Sequence, residues 1–319
     1  MRASVPAATT PHGTEVGISE TLPWYLYSIL TSLSLVGLVL CIRWLTNQGY
    51  APKRILLFMV GIALLGFAAL AGPGLARAVG SPNLLGFLLY TGLAGAFATV
   101  GHWAEFEAIK RAPNPGYATA IRSCSILPVI VFSVFLFDST LTIFKLTGAL
   151  LILGGILALV IEKDSPPKGE GRDAPGKRLW IILALTALTC YSLMVLGIKK
   201  ATLLGFAPPE ICVGIYLVNF VFFAVINLGG MRAYFRDRDG LRQFLPLVIV
   251  AALFAMATNL LNVKGLEMAP NPGYHEAIRN TNILLVTLLA VPLFGAHFDK
   301  AKMVGVVVIL VGIVVMVVC

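Results

Sequence analysis

The sequence predicts an all-α integral membrane protein: ten transmembrane helices arranged as two inverted five-helix repeats around a central cavity. Three observations carry that expectation. The chain is too apolar for a wetted surface, its apolar runs recur at membrane length, and one polar segment occurs twice, almost half the chain apart.

Of the 319 residues, 58% are hydrophobic and 12% charged, with mean hydropathy +0.89, whereas soluble domains carry about 25% charged residues. Lipid has to solvate such a surface. Apolar runs of about 20 residues, each long enough to cross a bilayer, are separated by short polar breaks. They place spans at 23–45, 55–73, 84–109, 116–137, 142–162, 178–200, 209–231, 242–265, 273–294 and 301–319. Residues 1–21, with Pro6, Pro11 and Gly13 and no apolar core, read as a disordered tail and not a cleaved signal peptide. Cys41, Cys124, Cys190, Cys212 and Cys319 lie in or against apolar stretches without C-x-x-C spacing, so they read as small hydrophobes and not as a disulfide framework or metal site.

The net charge of +9 does not point to nucleic acid, because its placement follows membrane topology. With Arg122 and Arg279 set inside helices, sixteen Lys and Arg fall on loops 1–2, 3–4, 5–6, 7–8 and 9–10, and six on the opposite face. The positive-inside rule makes the rich face cytoplasmic and puts both termini outside. The expected location is the cell (inner or plasma) membrane, with lipid as the surrounding partner.

Ala112-Pro113-Asn114-Pro115-Gly116-Tyr117 recurs as Ala269-Pro270-Asn271-Pro272-Gly273-Tyr274, a shift of 157 residues. The same shift carries Ala120-Ile121-Arg122 onto Ala277-Ile278-Arg279, Gly148 onto Gly305 and Gly155 onto Gly312. This is an internal duplication. A charged, Pro- and Gly-rich linker at 163–177 separates a first repeat, 22–162, from a second, 178–319. Five helices per repeat is an odd number, which forces the second copy to enter the membrane upside down. Two nearly equivalent halves can then exchange conformations across a central site and offer one solute to each side in turn.

Phe137-Asp138-Ser139-Thr140-Leu141 running into Lys145-Leu146-Thr147-Gly148 and Gly154-Gly155, and Lys302-Met303-Val304-Gly305 into Leu310-Val311-Gly312, resemble the polar turn and glycine-bearing fifth helix of the EamA-type drug/metabolite transporter superfamily. The resemblance implies a gradient-driven transporter of small solutes in a two-repeat, ten-helix fold. It departs at two places: the family's acidic Glu-Arg turn is replaced by Asp138-Ser139 and by Gly295-Ala296. Cytoplasmic termini, common in the family, are the reverse of the charge count.

Each N-P-G-Y segment reads as a helix start, with Asn114 or Asn271 as the cap and Pro115 or Pro272 at the first helical position. Arg122 and Arg279 follow eight residues later, about 12 Å into a hydrocarbon core of about 30 Å. On a continuous ninth helix His275, Glu276, Arg279, Asn280 and Asn282 share an arc of about 160°. The matching arc on the fourth is Ala118, Thr119, Arg122, Ser123 and Ser125. His102 and Glu105 stand one turn apart on helix three, where helix eight has Asn259 and Asn262. These side chains, Arg279, Arg122, Glu276, Asn280, Asn282, His275, Glu105, His102, Asn259, Asn262 and Ser125, are the candidate solute-binding set. A plainer reading stands beside it, in which Arg122 pairs with Glu105 and Arg279 with Glu276 as ties between helices. Tyr117, Tyr274 and Trp103 read as interfacial anchors, Lys199, Lys200 and Arg43 as snorkelling cations, and Gly92, Gly95, Ala98, Gly101, Gly148, Gly154 and Gly155 as close-packing positions.

His275-Glu276-Ala277-Ile278-Arg279 begins like H-E-x-x-H but has arginine where the second zinc ligand belongs, and neither G-x-S-x-G nor a phosphate loop occurs. No enzyme activity, cofactor or metal is expected, and energy has to come from a gradient, with a proton or ion as coupling partner left open. Buried arginines beside carboxylates and carboxamides suit an amino-acid-like or carboxylate-bearing solute. An organic cation exporter using Glu105 and Glu276, a channel, and a non-transporting scaffold are the alternatives.

Overall fold

The computed structural model describes residues 22–112, 115–160, 179–236, 238–294 and 300–318. The tail, the linker at 163–177, Asn114, Gly295-Ala296 and Cys319 lie outside them. Every regular element among the described residues is a helix: α1 (Trp24–Asn47), α2 (Pro52–Val79), α3 (Leu84–Arg111), α4 (Pro115–Ser123), α5 (Ile126–Phe137), α6 (Ile143–Val160), α7 (Leu179–Leu203), α8 (Pro208–Arg236), α9 (Arg238–Met268), α10 (Pro272–Arg279), α11 (Asn282–Phe294) and α12 (Lys300–Val318). Seven segments are long and apolar enough to cross a membrane, and two more, Ile143–Leu159 and Lys302–Val318, are shorter apolar helices. Large apolar side chains such as Leu85, Phe135, Leu65 and Val318 face outward, the arrangement of a chain solvated by hydrocarbon.

Three sequence expectations meet corrections here. The second span does not end at Pro73. Gly72 takes φ +36°, and the helix kinks there and runs on to Val79, because proline removes one helical hydrogen bond without preventing a new helix from starting after it. The fourth and ninth spans are not continuous helices. Each breaks just beyond its arginine, into α4 and α5 at Cys124-Ser125 and into α10 and α11 at Asn280-Thr281. Tight turns bridge the breaks, with Ser125 N–H donating to the Arg122 carbonyl at 3.0 Å and Thr281 N–H to the Ile278 carbonyl at 3.0 Å. Ser-Cys-Ser and Asn-Thr-Asn are poor helix formers, since their side chains compete for backbone groups.

The halves interleave in pairs: α1 with α9, α2 with α8, α3 with α7 and α6 with α12. Glycines set the separation where they meet. A Cβ on Gly148 would lie 2.8 Å from the Gly312 carbonyl oxygen, and one on Gly155 would lie 2.7 Å from that of Gly305. The register shows that α6 and α12 run antiparallel. By the same logic Gly101 beside Cys190 and Gly197 beside Ala94 make α3 and α7 antiparallel. Gly92 and Gly154, expected at such contacts, face open space. One apolar core fills the junction of α2, α3, α7, α8 and α9, and a second joins α5, α6, α10 and α12.

Candidate functional site

Asn271 begins the site as the sequence suggests: its side chain accepts from the Gly273 N–H at 2.9 Å, Pro272 follows at the first helical position, and α10 runs one short stretch to Arg279. The carboxamide also donates to the Ile130 carbonyl of α5 at 3.2 Å, tying the second half to the first. Tyr274, read as an interfacial anchor, is instead fully buried. Its hydroxyl bonds the Thr140 carbonyl and accepts from the Thr142 N–H at 3.2 Å, because a phenol inside a core has to find polar partners.

Four helices bring the charges together. On α3, His102 and Glu105 present one face. Arg122 of α4 places Nε 3.1 Å from Glu105 Oε1, and donates from Nη1 to the Asn280 side-chain oxygen at 3.1 Å. Tyr191 of α7 donates to Glu105 Oε2 at 2.7 Å, lies 2.6 Å from His102 Nδ1, and sets its ring 5.7 Å from the Arg122 guanidinium carbon. On α10, Arg279 Nη2 donates to Glu276 Oε2 at 2.6 Å. Glu276 lies close enough to Arg122, and Arg279 to His102 and Tyr191, for their charges to interact. Two arginines and two carboxylates from both halves form one cluster without net charge. Both expected ion pairs therefore form, which does not by itself divide a solute site from a structural tie.

Besides Arg122 Nε, which faces Glu105 as an ion pair without hydrogen-bond geometry, four buried atoms here have no hydrogen-bond partner within the chain: the donors Arg279 Nε and Asn280 Nδ2, and the acceptors Glu276 Oε1 and Asn282 Oδ1. Buried polar groups are seldom left so. The break after Arg279 puts Asn280 in the turn and Asn282 at the start of α11. Other expected members sit elsewhere. His275 is fully enclosed, with Ser28 Oγ 2.8 Å from Nδ1 and the Asn262 carboxamide oxygen 3.1 Å from Nε2, so it fastens α1, α9 and α10 and cannot touch a solute from there. Asn259 bonds the Tyr216 hydroxyl of α8 at 2.8 Å. Ser125 takes part through its carbonyl, which accepts from Ser192 at 3.3 Å.

Sequence reasoning missed Tyr191, although a Tyr-Ser pair amid an apolar helix was the available signal. It also missed the role of Lys199. That side chain, expected to snorkel, is buried, and its ammonium donates to the Leu266 and Glu267 carbonyls at 2.7 and 3.0 Å, capping the end of α9 just before the site. Free carbonyls at a helix end attract a cation. Among the described residues no group of His, Cys, Asp and Glu could hold a metal ion. Two surface grooves, of about 200 and 370 Å³, lie on apolar outer faces around Trp103 and Leu185 and touch none of the charged residues.

A helical chain with seven membrane-length apolar segments and a polar cluster enclosed among them is a multi-pass membrane protein. Residues 178–318 match the model of the EamA-like transporter family. A protein of known crystal structure superimposes on 92% of this chain and 96% of its own with TM-score 0.67 at 21% identity, a likeness of fold alone. No curated protein matches the sequence.

Proposed function

We propose that the chain is a gradient-driven transporter of a small zwitterionic, amino-acid-like solute, working by alternating access between two inverted five-helix repeats that together make ten crossings. The observation that carries this reading is the pair of unpartnered buried donors and the pair of unpartnered buried acceptors that occur between Glu276 and Asn282, across the end of α10 and its break. Arg279 Nε and Asn280 Nδ2 suit a carboxylate; Glu276 Oε1 and Asn282 Oδ1 suit an ammonium group. Arg122 supplies a second guanidinium from the first half. His102 and Glu105 stand beside Arg122, whereas Asn259, Asn262, His275 and Ser125 hold the surrounding helices and make no solute contact.

Inversion is supported by the antiparallel packing of α6 on α12, since Gly148 and Gly305, and Gly155 and Gly312, are equivalent by the 157-residue shift. The shift also exchanges the α1–α9 pair with α7–α3. A pairing scheme that maps onto itself is what two interconvertible halves need. An organic cation is less well served, because one oxygen of each carboxylate already faces an arginine.

The test is a thermal-shift screen of purified protein against amino acids, organic acids, nucleosides and cationic drugs. A ligand at 100 times its Kd stabilises the folded state by about 2.7 kcal/mol. Stabilisation by amino acids is the expected result, and stabilisation by cationic drugs alone overturns it.

A further inference from the structure

We propose that Asn271, Gly273 and Tyr274 form a latch that closes the end of the molecule where α10 begins, and that the half-helices α10 and α4 hold this closed position in turn. The inference rests on the reading of the two halves as inverted and interconvertible. α4 and α10 are equivalent by the 157-residue shift, yet their surroundings differ. Every residue from Pro272 to Ile278 is buried, whereas Tyr117, Thr119, Ile121 and Arg122 are only partly so. Asn271 donates from its carboxamide to the Ile130 carbonyl at 3.2 Å, and a Cβ on Gly273 would lie 2.8 Å from the Ile130 nitrogen, so the start of α10 rests directly on the α5 backbone. Tyr274 reaches the turn before α6, where its hydroxyl donates to the Thr140 carbonyl at 3.3 Å and accepts from the Thr142 N–H at 3.2 Å. Its equivalent, Tyr117, is half-buried and stacks on Trp180 with ring centroids 6.4 Å apart.

Helix packing repeats the contrast. α10 lies on α5 and α6 of the other half, but α4 makes no comparable contact with α11 or α12 among the described residues. Instead α4 lies on α6 of its own half, so α6 meets both half-helices while α12 meets neither to that extent. Exchanging these roles gives a second arrangement of the same chain, in which α12 meets both half-helices and the latch at Tyr274 is released. Thr287 of α11, equivalent to Ile130 by the shift, then receives α4 as Ile130 receives α10. α4 and α5 are successive stretches of one broken helix, so α4 begins at the end of the molecule opposite the α5–α6 turn. The exchange therefore moves the closure from one end to the other. A plain structural tie would be present in both arrangements, whereas this latch belongs to one.

Spin labels at two pairs of positions related by the shift read this exchange: Lys145 with Met268 at the latched end, and Arg111 with Lys302 at the other. Pulsed electron spin resonance on the protein in liposomes, with the native cysteines replaced, should give a short distance for the first pair and a long one for the second in the arrangement described, and the reverse after exchange. Gly273→Ala drives a methyl group into the Ile130 backbone, and Tyr274→Phe removes both hydroxyl bonds. Each should lower the ratio of short to long distances for Lys145 with Met268, and raise it for Arg111 with Lys302, by about fivefold or more. Tyr274→Phe decides the matter if Gly273→Ala does not fold. Distances that stay as in the unaltered protein, or that lengthen at both ends together, overturn the latch. If the two ends trade distances in the unaltered protein but neither variant shifts the balance, the latch alone falls; if the ends trade distances in none of the proteins, alternating access falls with it.

Discussion

Arg279 donates from Nη2 to Glu276 at 2.6 Å while its Nε has no partner in the chain, so solute contact and helix tie make different demands on the one side chain. Replacing Arg279 with Gln keeps hydrogen-bonding capacity and removes the charge. As a solute contact it should lose binding worth about 1.5–3 kcal/mol, on the order of ten- to a hundredfold, with the fold intact. A structural tie behaves otherwise: the single variant strands Glu276 and lowers the melting temperature, and Arg279→Gln with Glu276→Gln restores it. Solute binding measured beside thermal stability separates the two, and normal binding by a folded single variant removes Arg279 from the site. Lys199 has a simpler demand on it. Its ammonium serves the last carbonyls of α9, so Lys199→Met should cost about 1–3 kcal/mol of stability in a thermal melt. An unchanged midpoint would mean that those carbonyls find other partners.

At the scale of elements the α6–α12 contact is the most sharply defined. Gly148 and Gly154 lie on the same helix and differ only in what they face: the Gly312 carbonyl oxygen would be 2.8 Å from a Cβ on the former, and nothing lies within 4 Å of one on the latter. Gly148→Ala should therefore destabilise by about 1–3 kcal/mol through overpacking. Gly154→Ala should be neutral or slightly stabilising, because alanine favours helix. Equal effects in thermal melts would contradict the packing described. The broken helices matter in another way. Ending α10 at Arg279 places a half-helix terminus, its arginine and two carboxamides at one point, a device that a continuous helix lacks.

For the whole molecule, orientation is the property most open to direct test. The linker carries Lys163, Lys168, Arg172, Lys177 and Arg178, five of the sixteen cations on the basic face, and the positive-inside rule puts it in the cytoplasm. Cysteine at Lys168 or Arg172, in a background with Cys41, Cys124, Cys190, Cys212 and Cys319 replaced, should be shielded from an impermeant thiol reagent in intact cells. Labelling without lysis would reverse the assignment and put the termini inside. Either result leaves the proposed inversion of the halves untouched, because that proposal rests on five helices per repeat and not on which face is basic.

The sequence by itself determined the lipid-solvated helical class, the duplication and the identities of the charged pairs, because each is written locally: in composition, in a repeated hexapeptide, and in Glu276 and Arg279 one turn apart on a helix. Even Arg122 with Glu105 was legible, since buried charges in a membrane need partners and few exist. Tertiary structure alone decided the rest. Lys199 caps α9 and does not reach an interface, Tyr274 anchors in a core, and His275 is enclosed between Ser28 and Asn262, because each outcome depends on which helix packs alongside. Tyr191 became central for the same reason: Gly101 lets α7 approach α3, and no periodicity within either helix records that distance. Helical spacing tells which residues share a face, whereas the partner across that face is set by packing between segments far apart in the chain.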